Sequence, residues 1–177
     1  SEREDIKRLI EEIRKLVDEA AKEIERNIEE IRRLVKELEE LSKKHIDEAR
    51  EILERLKRRD DKKTIDEATE RLRRSHKRLE ERIREVKKRI DESHEKLRED
   101  LETLIREIRK LLRELRERTG DTELVEEMER DVREVERALR RLLDKHRRVL
   151  EDVERRLRRA LEENRRVLEE IEEDSRR

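Results

Sequence analysis

The 177-residue chain has no cysteine, no proline and no aromatic residue, and it has a single glycine. Without cysteine it can form no disulfide, thiolate metal site or cysteine nucleophile. Strand-rich folds need glycine, proline and similar residues in turns at short intervals, so their near absence argues against a sheet. No run of apolar residues approaches the roughly 18 of a membrane span, and we expect no signal peptide. The composition therefore favours long helices.

Charge dominates the residues that are present, but neither sign prevails. Lysine and arginine number 53 against 54 aspartates and glutamates, so 60% of the chain is charged while the net charge is −1. Ordinary globular domains are about 25% charged. Balanced, interspersed charges create no basic field for phosphates. We therefore expect no nucleic-acid partner, and no membrane partner at neutral pH.

Apolar residues recur at spacings of three and four, which is the pattern of amphipathic helices. Two interruptions break the pattern: a charged run over 59–63, and Thr119-Gly120-Asp121 with the only glycine. These interruptions predict turns. Helices are therefore predicted over about 2–58, 65–118 and 122–175.

Local residues at these boundaries suggest how the helices begin and end. Ser1 with Glu4, and Thr64 with Glu67, have the spacing of capping boxes. Gly120 suits the left-handed position that follows a helix. Asp121 or Thr122 is expected to cap the third helix.

A repeat of 18 residues runs through all three helices. It spaces isoleucines, leucines and valines in three sets: Ile10, Ile28 and Ile46; Leu72, Ile90 and Ile108; Val135, Val153 and Ile171. Eighteen residues make five turns of 3.6 residues, so we expect nearly straight helices. Short loops force neighbouring helices to be antiparallel. The sequence predicts a single all-α domain over 1–177, an antiparallel up-down-up three-helix bundle.

All four histidines, with asparagines and serines, lie on the apolar stripes of these helices. Antiparallel pairing about a turn near residue 61 joins positions that sum to about 122, and a turn near 120 joins positions that sum to about 240. This arithmetic predicts two buried polar networks, about 27 Å apart at 1.5 Å per residue. The first contains Ser42, His45, Ser75, His76 and Asn164, and the second contains Asn27, Ser93, His94 and His146.

Three interpretations of the polar residues remain open. Hydrogen-bonded layers can fix helix register, as a core asparagine does in coiled coils. If all four histidines are buried, the same layers can respond to acid, because imidazolium is penalised in an apolar core. Zinc is a third interpretation, but each layer has two histidines where zinc needs three or four ligands. We expect no metal, no cofactor and, since no nucleophile–base pair or phosphate loop is present, no enzyme activity.

Three near-equal helices, the 18-residue repeat, surfaces of glutamate, lysine and arginine, and minimal loops resemble de novo designed parametric helical bundles. The resemblance covers the whole chain. Natural spectrin-like repeats also form long three-helix bundles, but they usually carry core tryptophans, and this chain has no tryptophan. The resemblance implies a structural scaffold without a natural biochemical activity, and the sequence leaves its localisation open.

Two alternatives belong to other functional classes. The chain could be the larger part of a designed heterodimer or a homo-oligomer, binding a further helix. It could also be a membrane-active bundle whose first helix is released at low pH. We expect a monomer that requires no partner, because nothing on the predicted outer faces is apolar.

Overall fold

The computed structural model describes residues 2–177, apart from the side chains of Glu2, Arg3 and Ile6. Nearly all of these residues are helical, and no strand occurs among them. The all-α class is therefore confirmed, and the predicted helix bounds are within three residues of those observed. The helices are α1 (Glu2–Lys57), α2 (Lys62–Arg118) and α3 (Thr122–Arg176).

Each helix contributes one segment to each of two compact units. Unit 1 consists of Ser1–Glu29 and Asp91–Val149, and unit 2 consists of Glu30–Ile90 and Leu150–Arg177. Within each unit the three segments pack as an antiparallel three-helix bundle, which confirms the predicted fold class. That residues 1–177 form a single domain stays a prediction.

The core of unit 1 is built from the apolar stripes of all three helices. Each such side chain contributes roughly 1.5–3 kcal/mol when it is fully buried. An ion pair at the surface ties α2 to α3, because the Arg109 guanidinium donates to both carboxylate oxygens of Glu136 at 2.7 and 3.0 Å. Two clusters belong to this core: the first contains Ile24, Ile28, Leu97, Leu101 and Leu139, and the second contains Ile13, Ile108 and Val132.

The core of unit 2 is formed in the same way. Arg73 of α2 donates to Glu172 of α3 at 3.2 Å, and Arg156 of α3 pairs with Glu39 of α1. The short connections between the helices reverse the chain twice, so that within the unit α3 runs parallel to α1 and antiparallel to α2. One buried cluster of this core contains Ala49, Ile52, Leu53, Ile65, Leu72 and Ile171.

The end of α1 is closed by a Schellman motif whose left-handed residue is an arginine. Arg59 has a φ of 55°, and its N–H donates to the Leu56 carbonyl at 3.2 Å. The N–H of Asp60 donates to the Arg55 carbonyl at 3.1 Å, which completes the pattern. Gly120 does not have a positive φ, so its predicted left-handed conformation is wrong.

Aspartates begin both later helices. Helix α2 starts at Lys62, so Thr64 lies inside its first turn and the predicted Thr64–Glu67 capping box is wrong. The Thr64 hydroxyl instead donates to the Asp61 carboxylate at 3.0 Å. At α3 the N–H of Leu124 donates to Asp121 Oδ1 at 3.2 Å, so Asp121 rather than Thr122 is the cap. The remaining predicted cap, Ser1, lies outside the described residues.

Candidate functional site: two buried polar networks

In unit 1 a chain of hydrogen bonds joins all three helices. Asn27 of α1 donates through Nδ2 to Ser93 Oγ of α2 at 2.7 Å. Its Oδ1 lies 2.7 Å from Nε2 of His146 on α3. Nδ1 of His146 lies 2.8 Å from Nδ1 of His94 on α2. The structure thus brings the four residues of the second predicted network together.

The partners of this chain fix the direction of each hydrogen bond. Asn27 Oδ1 can only accept, so Nε2 of His146 carries the hydrogen and donates. A neutral imidazole carries a hydrogen on only one of its two nitrogens, so Nδ1 of His146 is left as an acceptor. His94 must therefore donate from its own Nδ1. The order of donation is His94 to His146, His146 to Asn27, and Asn27 to Ser93.

The two imidazole rings meet edge to edge. Their centroids are 5.1 Å apart and their planes differ by 5°. That separation is the 2.8 Å between the two Nδ1 atoms plus the radii of two five-membered rings, so both nitrogens lie on the line between the ring centres. The rings are therefore nearly coplanar, and the lone pair of the acceptor points at the donor, which is the favourable hydrogen-bond geometry.

Burial differs between the two histidines of unit 1. His146 is 0% exposed, and its burial, followed by the proximity of His94, lowers its pKa to about 4. His94 is only half-buried, as are Asn27 and Ser93, so the prediction that this network is buried is wrong at these three positions. The residue of the pair that reaches towards solvent is therefore His94.

In unit 2 a serine and an asparagine form the hydrogen-bonded centre of the polar residues. Asn164 of α3 donates through Nδ2 to Ser42 Oγ of α1 and to the Ala160 carbonyl, the latter at 2.9 Å. The hydroxyl of Ser42 donates to the same carbonyl at 3.4 Å. Ser42 and Asn164 are both buried. This cluster links α1 to α3.

The two histidines of unit 2 have a different setting. Nε2 of His76 lies 3.0 Å from Oε1 of Glu80, one turn further along α2. Burial lowers the pKa of His45, and among the smaller influences the nearby Glu48 raises it while His76 lowers it. Nδ1 of His45 and Nδ1 of His76 are both buried without a hydrogen-bond partner. The structure places His76 with a carboxylate rather than with Ser42 and Asn164.

Ser75 is the remaining residue of the first predicted network. It is half-buried and lines a groove of about 390 Å³ between α1 and α2, with Ile52 and Leu72. The structure places it at the edge of unit 2, towards solvent.

Sequence reasoning missed three polar contributors. Glu80 follows His76 by four residues, a spacing that places the two side chains on one helix face and could have indicated the pair. Arg165 of α3 lies 4.0 Å from the same carboxylate, a contact that only packing creates. Thr69, which is buried, donates to the Ile65 carbonyl at 2.8 Å and so satisfies its own hydroxyl within α2.

Some outward apolar surface remains on unit 1. A groove of about 540 Å³ lies between α1 and α3 and is lined by Ile10, Val17 and Val135 among others. Leu16 and Leu111 are 44% and 37% exposed. The sequence-based premise that the outer faces carry nothing apolar is therefore wrong.

Two other kinds of site are absent from the described part of the chain. No group of three or more histidines or carboxylates among residues 2–177 is arranged to hold a metal ion. Within the same part of the chain, no helix combines the length and apolar character that crossing a membrane requires.

Comparisons with known proteins found a likeness in structure but none in sequence. No protein-family model matches the chain, and no curated protein matches its sequence. A solved structure described as a computationally designed three helix bundle is similar to it, with 19% sequence identity and a TM-score of 0.36. The match covers 99% of this chain and 84% of the other.

Proposed function

We propose that the chain is a designed structural scaffold in which buried polar networks hold the helices in register and make folding sensitive to acid. The observation that carries this proposal is the directional chain from His94 through His146 and Asn27 to Ser93. Its members come from all three helices of unit 1. The near-equal helix lengths of 56, 57 and 55 residues and the 18-residue repeat support a designed origin.

The network supports the scaffold role because it discriminates between registers. Apolar side chains tolerate sliding, since one aliphatic contact replaces another at little cost. A polar group cannot slide in this way. If α3 shifted by one turn along α1, the fully buried His146 would lose its acceptor on Asn27, and an unsatisfied buried polar group costs about 1–3 kcal/mol. The polar chain therefore penalises such a shift in register.

The acid response follows from the setting of His146. Its side chain is fully buried, and both ring nitrogens are already used in neutral hydrogen bonds. Protonation adds a hydrogen at Nδ1, which then faces the donor of His94 instead of an acceptor. Acid thus costs the folded state a hydrogen bond and places a charge in the core.

A double-mutant cycle tests the register role. Asn27→Leu, His146→Leu and the double variant are unfolded with urea at pH 7.5. Residues in direct contact couple by about 0.5–3 kcal/mol, and we expect a coupling in this range. The control cycle combines Asn27→Leu with Asn164→Leu, which alters the Ser42 cluster of unit 2.

The control pair should be additive within about 0.5 kcal/mol. Equal coupling energies in the two cycles would contradict the proposal, because a general loss of packing would then explain both. Additive behaviour of Asn27 and His146 would contradict it as well, since the network would carry no energy of its own.

A second candidate function is binding of a helix, either from a partner or from another copy of the chain. The apolar groove between α1 and α3 of unit 1 and the exposed Leu16 and Leu111 favour it. Light scattering after size exclusion tests self-association. A monomer mass that persists at high protein concentration would eliminate a second copy as the partner.

A further inference from the structure

We propose that the His94–His146 pair is a binding site for one proton, which enters at Nε2 of His94 and leaves every hydrogen bond of the network in place. The network breaks only when a second proton reaches His146. This inference deepens the acid response proposed above and rests on it. It divides that response into a tolerated step and a destabilising step.

The neutral pair has one open position for a proton. Nδ1 of His94 donates to Nδ1 of His146, and Nε2 of His146 donates to Asn27. The ring nitrogen outside these bonds is Nε2 of His94, and it belongs to the half-buried residue of the pair. The first proton from solvent therefore binds there.

This first proton changes no hydrogen-bond role. His94 becomes an imidazolium with hydrogens on both nitrogens, and its Nδ1 continues to donate to the bare Nδ1 of His146. The 2.8 Å contact becomes a charge-assisted hydrogen bond, which is stronger than its neutral form. The added charge resides on the ring nearer to solvent, and His146 stays neutral.

The second proton has no such place. It can bind only at Nδ1 of His146, the acceptor of the bond from His94. Both nitrogens then carry hydrogens that point along one line at 2.8 Å, with no lone pair between them. Two positive rings also face each other with centroids 5.1 Å apart. The pair must separate, and His146 loses its contact across the interface between α2 and α3.

Charged groups around the pair come from all three helices. Glu95 of α2 is close enough to His94 for their charges to interact, and it is ion-paired with Arg98. On α3, Arg147 forms an exposed ion pair with Asp144. Three further charged residues are exposed: Glu23, one turn before Asn27 on α1, Arg26, next to Asn27, and Lys145, next to His146 on α3. Glu95, the carboxylate whose charge interacts with His94, is thus already neutralised by an arginine.

Nuclear magnetic resonance of the ring nitrogens in ¹⁵N-labelled full-length protein tests the proposal. Between pH 7.5 and 4, we expect Nε2 of His94 to gain a hydrogen in the first step while His146 keeps its hydrogen on Nε2 alone. The scalar coupling between the two Nδ1 atoms should persist through this step. It should disappear when Nδ1 of His146 is protonated.

Two variants sharpen the test. His94→Gln retains a donor for His146 but cannot bind a proton, so the first step should vanish and the step at His146 should remain. Glu80→Gln removes the partner of His76 in unit 2 and should leave both steps unchanged. Protonation of His146 in the first step, or loss of the coupling during that step, would overturn the proposal.

These readouts follow protonation within the folded protein. They can therefore fail while denaturation still shows a loss of stability in acid, and in that case only the order of protonation is refuted. If acid changes the stability of the parent and of a His146 variant equally, the proposed acid response fails, whatever the ring nitrogens show.

Discussion

Lowering the pH from 7.5 to 5 should weaken the parent protein more than a His146→Leu variant. The folded state holds the pKa of His146 at about 4, against about 6.5 in an unfolded chain. Above pH 6.5 both states are neutral at this ring, and its contribution to stability is complete. As the pH falls from 6.5 towards 4, the unfolded chain binds a proton that the folded chain refuses, so stability is lost over this window.

The size of the loss follows from the two pKa values. At pH 5 the difference in proton binding amounts to about 2 kcal/mol, and at pH 4 to about 3 kcal/mol. His45, whose pKa is also lowered, is present in both proteins and cancels in the comparison. The carboxylates cancel for the same reason.

Urea denaturation followed by circular dichroism, in half-unit steps from pH 7.5 to 4, measures these differences. His146→Leu leaves Asn27 without a donor and shifts the stability of the variant at every pH, so only the slope with pH is compared. Parallel curves for the two proteins would refute the reasoning. A loss that begins only below pH 4.5 would refute it as well, since carboxylates titrate there.

Four single substitutions give further expected outcomes, each measured by urea denaturation. Arg59→Gly should stabilise the protein by about 1 kcal/mol, because glycine adopts the positive φ of this position without strain. Gly120→Ala should stabilise it by about 0.5 kcal/mol, since an added Cβ meets nothing within 4 Å and φ is not positive. Asp121→Ala should cost about 1 kcal/mol through loss of the α3 cap. The hydrogen bond from Arg109 lowers the pKa of Glu136. The contribution of this bond to folding stability is therefore complete above about pH 4.3, the unfolded value, and decreases as the pH falls further. Glu136→Gln should remove this part of the acid dependence of stability.

Much of the polar site could be located from the sequence because the 18-residue repeat and the antiparallel pairing of the helices agree on the same positions. The 18-residue repeat places Asn27, His94 and His146 on core faces, and antiparallel pairing about the two turns brings those faces together. These are consequences of helix geometry, which is nearly the same in every chain. The same reasoning could not identify the partner of His76, because Glu80 is one of many glutamates at helical spacing.

Helix ends were less predictable than helix interiors. Arg59 adopts a left-handed conformation in a run of charged residues, while the only glycine of the chain does not. A glycine permits a left-handed conformation without requiring it, whereas at Arg59 the two Schellman hydrogen bonds hold a non-glycine residue in that conformation. Asp61 and Asp121 both precede helices, and both were available in the sequence as caps.

The sequence by itself determined three amphipathic helices, their order and their antiparallel pairing, because these depend on local periodicity and on loops too short for any other path. Only the tertiary structure decided which histidine is fully buried, which nitrogen donates and which polar atoms lack partners. Those properties depend on distances of a few tenths of an ångström between side chains on different helices. His94 and His146 have the same side chain and equivalent places in the pattern, yet packing leaves one near solvent and encloses the other.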